Sequence, residues 1–285
     1  MIRLIIIALV IIVIFFVIVM IIDGNRFVVR QYSLQSEKLS KEYCFVLLAD
    51  LHNKQYGSEN EKLIAAIDEI HPDSVMCAGD ILTARPGKTT KRAEALMHTL
   101  ASKYPVYYGI GNHEYRMKLY PETYEDQYEK YIDVLKQQGI TVLYNEEVKI
   151  PMTNITVTGS VIDRAYYKRF QKNKMDSAYL NTLLPKRDMT GYDILLAHNP
   201  EYMKQYAEWG ADLILSGHVH GGVMRLPVLG GVISPKLTLF PKYDGGLFKQ
   251  KNSTMVLSRG LGMHTLPIRI FNPGELVVVH LLPCK

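Results

Sequence analysis

Apolar positions fall into one long run and a series of short ones. Residues 4–22 are apolar throughout and carry no charge. At about 1.5 Å per residue, a helix of that length nearly crosses a ~30 Å hydrocarbon layer. The run is longer than the apolar core of a cleaved signal peptide, and Asp23, Gly24 and Asn25 follow it in place of a small-x-small cleavage site. It predicts a single-pass anchor in the cell membrane. Positive charge on both flanks, Arg3 before and Arg26, Arg30, Lys38 and Lys41 after, assigns no side to the domain beyond it.

The short apolar runs lie at 44–50, 74–80, 106–112, 155–161, 192–199, 211–218, 254–260 and 275–282. Stretches with helical spacing lie between them, at 59–70, 91–102, 122–138 and 201–209, and Gly139 stands where a helix would end. Strand-length runs alternating with helices predict an α/β fold, and eight strands exceed what one small sheet usually holds. The expected organisation is a membrane anchor and short linker over residues 1–30 and one folded domain over 31–285. The polar and mixed residues between the anchor and the first run read as linker.

Composition changes this picture little. Apolar residues make up 48% and charged residues 21%, the profile of a folded chain. A net charge of +5 without long basic runs excludes nucleic acid as the implied partner. Cys44, Cys77 and Cys284 form no CxxC pair, and the first two sit inside apolar runs as core residues. The segment 164–188 carries Arg164, Lys168, Arg169, Lys172, Lys174, Lys186 and Arg187, and reads as a basic, solvated surface insertion.

Chemistry collects at the ends of the apolar runs. Asp50 and His52 follow the first (ADLHN), Asp80 the second (AGD), and Asn112, His113 and Glu114 the third (GIGNHE). His198 closes the run at 192–199 (LLAHNP), and His218 with His220 closes the next (SGHVHGG). In α/β sheets ligands gather at the C-terminal strand ends. Each residue alone has an ordinary explanation as a cap, a turn or a core histidine. Together they would be costly to bury without partners, and a shared metal resolves that cost. Carboxylates, imidazoles and one amide, without thiolate, suit Mn²⁺, Fe or Zn²⁺. These donors are too many for one ion. One shared carboxylate would hold two ions ~3.5–4 Å apart, the arrangement of phosphoester hydrolysis. In an extended chain His218 and His220 face the same way, and the glycines beside them keep side chains away from a ligand. A phosphate-binding loop at Gly87-Lys88-Thr89-Thr90 is excluded because residue 82 is leucine, and HExxH and GxSxG are absent.

The ordered series DxH, GD, GNHE, H and GHxH resembles the calcineurin-like metallophosphoesterase superfamily. The stretches GHVHGGVMRLPVLGGVISP, FPKYDGGLF, LSRGLG and RIFNPGELVVVHL resemble its membrane-anchored bacterial phosphohydrolases, so the likeness covers roughly residues 25–285. The resemblance implies two mixed β-sheets in a sandwich flanked by helices, and makes 31–285 a metallophosphoesterase domain. It implies that Asp50, His52 and His220 bind one divalent ion, that Asn112, His198 and His218 bind a second, and that Asp80 bridges them. His113 would be the catalytic, non-ligand histidine at the leaving group. The implied reaction is attack of a metal-bridging hydroxide on a phosphomonoester, phosphodiester or pyrophosphate. Many relatives read GDxxD, with the later aspartate orienting the catalytic histidine, whereas this chain has Thr83 there. His113 is therefore expected to be held less firmly as imidazolium unless Glu114 substitutes. The lack of a DRG continuation argues against a protein serine/threonine phosphatase. The membrane-side setting suggests a lipid-linked or cell-envelope phosphoester, with 164–188 and 228–239 as candidate contact surfaces and Arg259, His264 and Arg269 as candidate phosphate contacts. The alternative is a membrane-tethered protein whose metals hold a phosphate ligand without turnover.

Overall fold

The computed structural model describes residues 1–168, 173–226, 229–233, 238–263 and 267–284. The apolar run forms helix α1 (Ile2–Asn25), long and apolar enough to cross a membrane. Two sheets follow. The first is ordered β1 (Phe27–Ser36), β14 (Gly274–Pro283), β2 (Tyr43–Leu48), β3 (Ser74–Cys77), β4 (Val106–Gly109) and β5 (Thr141–Leu143). The second is ordered β12 (Gly246–Gln250), β13 (Ser253–Leu257), β9 (Leu213–Ser216), β8 (Tyr192–Ala197), β7 (Ile155–Ser160) and β6 (Glu147–Lys149). A two-residue pair, β10 (Arg225–Leu226) with β11 (Gly230–Gly231), stands apart. Both sheets are mixed: β2 to β5 run parallel while β14 opposes β2, and β7, β8, β9 and β13 run parallel while β6 and β12 oppose their neighbours.

The apolar runs bury both faces of their strands, as buried parallel strands do. Phe45, Leu47, Met76 and Tyr107 of the first sheet meet Ile194, Leu196, Leu213, Leu215 and Val256 of the second. The alternate residues Val46, Leu48, Val75, Cys77 and Tyr108 pack outward on helices α2 (Glu61–Ile70), α3 (Lys91–Ala101) and α6 (Gln127–Gln137). On the far side Leu195, Ile214 and Met255 pack on α7 (Tyr179–Leu183) and α8 (Met203–Trp209). The result is helix, sheet, sheet, helix, the two-sheet sandwich the resemblance implies.

Three expectations need correction. The stretch read as linker is β1, paired along its length with β14; its alternating Tyr32 and Leu34 reach the inter-sheet core while the residues between them face water. A half-exposed edge strand of that kind lacks a continuous apolar run. The helix expected over 122–138 is two, α5 (Pro121–Tyr124) and α6, broken where Glu125 takes a φ of 51°. The basic segment is not simply a solvated loop. Arg187 has 6% of its side chain exposed and pairs with Asp193, and Tyr166 and Tyr167 pack on the α8 side of the core. Arg169 and Lys172 lie outside the described residues.

Candidate metal centre

Strands β2, β3 and β4 of one sheet and β8 and β9 of the other deliver their C-terminal loops to the same end of the sandwich. Helix α4 (Asn112–Leu119), which lacks an apolar stripe to announce it, begins at the motif itself. The loops are tied to one another through the backbone: Asp50 N donates to Gly79 O (3.1 Å), His52 N to Asp80 O (3.1 Å), and Gly217 N to His198 O (3.1 Å). Gly79 and Gly111 pass so closely that a Cβ on either would overlap the other loop's backbone.

Five of the predicted residues adopt left-handed backbone: Asp50 (φ 51°), His52 (53°), Asp80 (55°), His218 (74°) and His220 (52°). Each such conformation costs roughly 1–3 kcal/mol and persists only where the surroundings over-determine it. Here the strain turns each donor inward at the close of a buried strand.

The side chains converge. Asp50 Oδ2 accepts from His218 N (2.8 Å), and its Oδ1 lies 3.7 Å from His220 Nε2, 3.8 Å from His198 Nε2 and 3.9 Å from His52 Nε2. Asp80 Oδ1 accepts from His113 N (2.7 Å), while its Oδ2 lies 3.1 Å from His198 Nε2 and 3.9 Å from His52 Nε2. His52 and His220 bring their Nε2 atoms within 3.3 Å. His198 Nδ1 donates to Ala78 O (2.7 Å), which fixes its tautomer and turns Nε2 toward the carboxylates. Donor atoms of Asp50, His52 and His220 lie within 4.8 Å of one another, as do those of Asp80, His198 and His218, and those of His52, Asp80 and His113. Asp50 Oδ1 and Asn112 Oδ1 are buried without a hydrogen-bond partner, and His198 Nε2 is buried against Asp80 Oδ2. Orphaned buried atoms are costly, and hard or borderline donors in this number fit divalent cations.

The charges strain against one another. Burial pushes the Asp50 carboxyl up to about 7. Burial also works to raise Asp80, but His198, His113 and His52 outweigh it and hold Asp80 well below the usual carboxylate range. Burial alone would depress His198, yet Asp80 and Asp50 lift it to about 10. His113 is lowered, chiefly by burial.

Thr83 is not the partner of His113. Its Oγ1 lies 3.1 Å from His52 Nδ1, and His113 Nδ1 instead accepts the Ala84 N–H (3.0 Å). Glu114 does not take the aspartate's place either. Its carboxylate accepts N–H bonds from Asp80, Ile81 and Gly111, each 3.0 Å, and the Tyr108 hydroxyl at 2.8 Å. It staples the GD loop to the GNHE loop.

Arg269 is a strut rather than a phosphate contact. It is 2% exposed, and its guanidinium donates to the carbonyls of Arg259, Gly260, Gly262, Asn272 and Pro273. Arg259 Nε lies 3.8 Å from Glu275, and His264 lies outside the described residues. Sequence reasoning missed Asn272, whose Nδ2 donates to His220 O (2.8 Å) and Gly222 O (2.7 Å), and Tyr167, whose ring centroid is 5.3 Å from that of His218. Asn272 was legible only as part of FNPG, with nothing to connect it to a loop fifty residues earlier.

Comparison with known proteins agrees with the sequence motifs. The family model "Calcineurin-like phosphoesterase" matches residues 45–222, more than half of the chain. An uncharacterized metallophosphoesterase of Helicobacter pylori (strain J99) is 28% identical over 263 residues, covering 90% of this chain and 64% of its own length. An uncharacterized metallophosphoesterase of Aquifex aeolicus is 28% identical over 262 residues, 88% of this chain and 90% of its own. A Danio rerio transmembrane protein with metallophosphoesterase domain is 28% identical over 242 residues, 81% of this chain and 51% of its own. The chain therefore spans 64% of the Helicobacter relative and 51% of the zebrafish one.

Proposed function

The chain belongs to the calcineurin-like phosphoesterase family, and from that premise we propose that it is a membrane-anchored, dinuclear metal-dependent phosphohydrolase of phosphomonoesters, phosphodiesters or pyrophosphates. The observation that carries this reading is the closure of the His52, His198, His218 and His220 imidazoles about the buried Asp50 and Asp80 carboxylates, with Asp50 Oδ1 and Asn112 Oδ1 buried without a hydrogen-bond partner. Asp50, His52 and His220 would hold one divalent ion and Asn112, His198 and His218 the other, with Asp80 able to serve both. Two such ions, when bound, acidify water near neutral pH and neutralise phosphoryl oxygens.

The protein's own groups do the positioning. The Ala78 carbonyl holds His198 as an Nε2 donor, Thr83 fixes the ring of His52, and the His113 N–H orients Asp80. Because His113 Nδ1 accepts the Ala84 N–H, its neutral ring carries the proton on Nε2, the nitrogen that would donate to the leaving oxygen. The relatives' aspartate would hold that ring charged; here it works as a neutral donor. The exposed apolar side chains along most of helix α1 support the membrane anchor in this reading.

The test is hydrolysis of a nitrophenyl phosphoester by the full chain in detergent, with Mn²⁺ and after chelation. Turnover is expected only with metal, and Asp80→Asn is expected to abolish it together with binding of the second ion. Phosphate binding without turnover under the same conditions would sink the proposal.

A further inference from the structure

Helix α1 does not leave the domain at its surface. Phe16, Val19, Met20, Asp23 and Gly24, one face at helical spacing, are partly or wholly buried, while Phe15, Val17, Ile18, Ile21 and Ile22 stand exposed. This face and the adjoining Phe15 have named partners. The rings of Phe15 and Phe16 each lie 6.3 Å from that of Phe271. Met263 lies beside Gly24, and Asp23 Oδ2 accepts the Asn272 N–H at 3.0 Å. At 1.5 Å per residue Phe16 lies about 13 Å along the axis from the end of α1, so Phe271 stands well up the apolar helix.

Phe271 belongs to a small hydrogen-bonded platform that continues from the His218–His220 loop. Arg225 N donates to Ile270 O, Ile270 N to Val223 O, Val232 N to Met224 O, and Phe240 N to Val232 O. The platform displays Leu229, Leu239, Phe240 and Phe271 at 61%, 64%, 57% and 41% exposure. Phe240 and Phe271 hold left-handed backbone, with φ of 47° and 53°, an unfavourable conformation for a bulky residue. A cluster of exposed large apolar side chains marks an interaction surface. Its continuity with α1 through the Phe15–Phe16–Phe271 contact says what covers it. Asn272 joins the two regions, its N–H on Asp23 of the helix and its side chain on the His220 and Gly222 carbonyls.

We propose that Leu229, Leu239, Phe240 and Phe271 sit in the lipid bilayer beside α1, so that the metal centre opens at the hydrocarbon boundary and takes an amphiphile, a phosphoester carrying long apolar tails. The substrate half of this proposal rests on the reading of the site as a phosphoesterase; the lipid face rests on α1 as a membrane span.

The test uses the full chain in lipid nanodiscs. In a Trp209→Phe background, which removes the single tryptophan, Phe271→Trp is expected to lose most of its emission to acyl-chain-brominated lipid and little to aqueous acrylamide. Phe240→Trp gives the same reading should Phe271→Trp fail to fold. Free quenching by acrylamide overturns the proposal, and so does protection from both quenchers, which would assign the face to a second copy or another protein. In the second arm the wild-type chain is given phosphatidic acids of increasing acyl length alongside nitrophenyl phosphate, and kcat/KM is expected to rise about tenfold or more from short to long chains. A flat dependence overturns the amphiphile. If no phosphoester is cleaved at all, the substrate half falls together with the proposed function, while the quenching arm still decides the lipid face.

Discussion

The two halves of the metal centre are braced by opposite hydrogen-bonding groups, an acceptor in one and a donor in the other. On the first-sheet side Glu114, a buried carboxyl group, gathers the N–H groups of Asp80, Ile81 and Gly111. On the side that borders α1, Arg269, a buried cation, gathers the carbonyls of residues 259, 260, 262, 272 and 273. A loop that must leave a strand and bend donors inward abandons its backbone pairing, and each buried orphan costs about 1–3 kcal/mol. One multivalent side chain resolves several orphans at once. Loops presenting N–H groups call for a carboxylate and loops presenting C=O groups for a guanidinium. Neither residue need touch substrate to be indispensable.

Exchanging each brace for a neutral side chain of similar size separates the two halves. Arg269→Met is expected to have the largest effect. It leaves the carbonyls of the 259–273 loops without donors and should destabilise by roughly 3–5 kcal/mol, read as a lowered urea midpoint, a cost comparable to breaking a buried charge's partners. Glu114→Gln keeps one acceptor oxygen and should cost about 1–3 kcal/mol by the same measurement. A brace of the Arg269 kind that cost less than the Glu114 exchange would break the comparison.

The carboxyl brace also has a pH dependence. Burial pushes Glu114 up to about 7 from an ordinary 4.5, so the folded metal-free state binds its proton more tightly than the unfolded chain does. That contribution is fully present below about 4.5 and is lost as pH rises through about 7. The stability gap between wild type and Glu114→Gln in metal-free protein should therefore narrow between pH 5 and 8, and a widening gap would refute the assignment. Asn272→Ala comes next, freeing the His220 and Gly222 carbonyls. It should weaken metal binding about tenfold, as loss of an outer-shell partner does, measured by titration of the stripped protein with Mn²⁺. The smallest effect belongs to Thr83→Val, which removes one hydrogen bond to His52 and should cost under about 1.5 kcal/mol.

The same contrast explains what the sequence disclosed. Asp50, His52, Asp80, Asn112, His113, His198, His218 and His220 were legible because each follows a strand buried on both faces, a local signal that repeats. The braces were not. Glu114 sits inside a motif but acts on backbone 33 and 34 residues away, and Arg269 carries no periodic signature at all. Thr83 was visible as a departure from the family pattern, yet which ring it faces depends on the path of the loop. β1 escaped notice because an edge strand half in water shows alternation only, and its partner is 245 residues or more distant.

That last pairing bears on the order in which the molecule is assembled. β1 runs parallel to β14 from Phe27 opposite Gly274 to Ser36 opposite Pro283, so β1 is synthesised long before the strand it pairs with. Until β14 is free to pair, β1 presents an open edge, directly after α1 with only Arg26 between them. Long-range parallel pairing is slow to form and exposed to aggregation meanwhile. Loss of residues 274–283 would strip the first sheet of the strand between β1 and β2 and leave β1 without its ladder, so that contacts such as those of Phe271 and Asn272 would be left to hold α1 to the site loops.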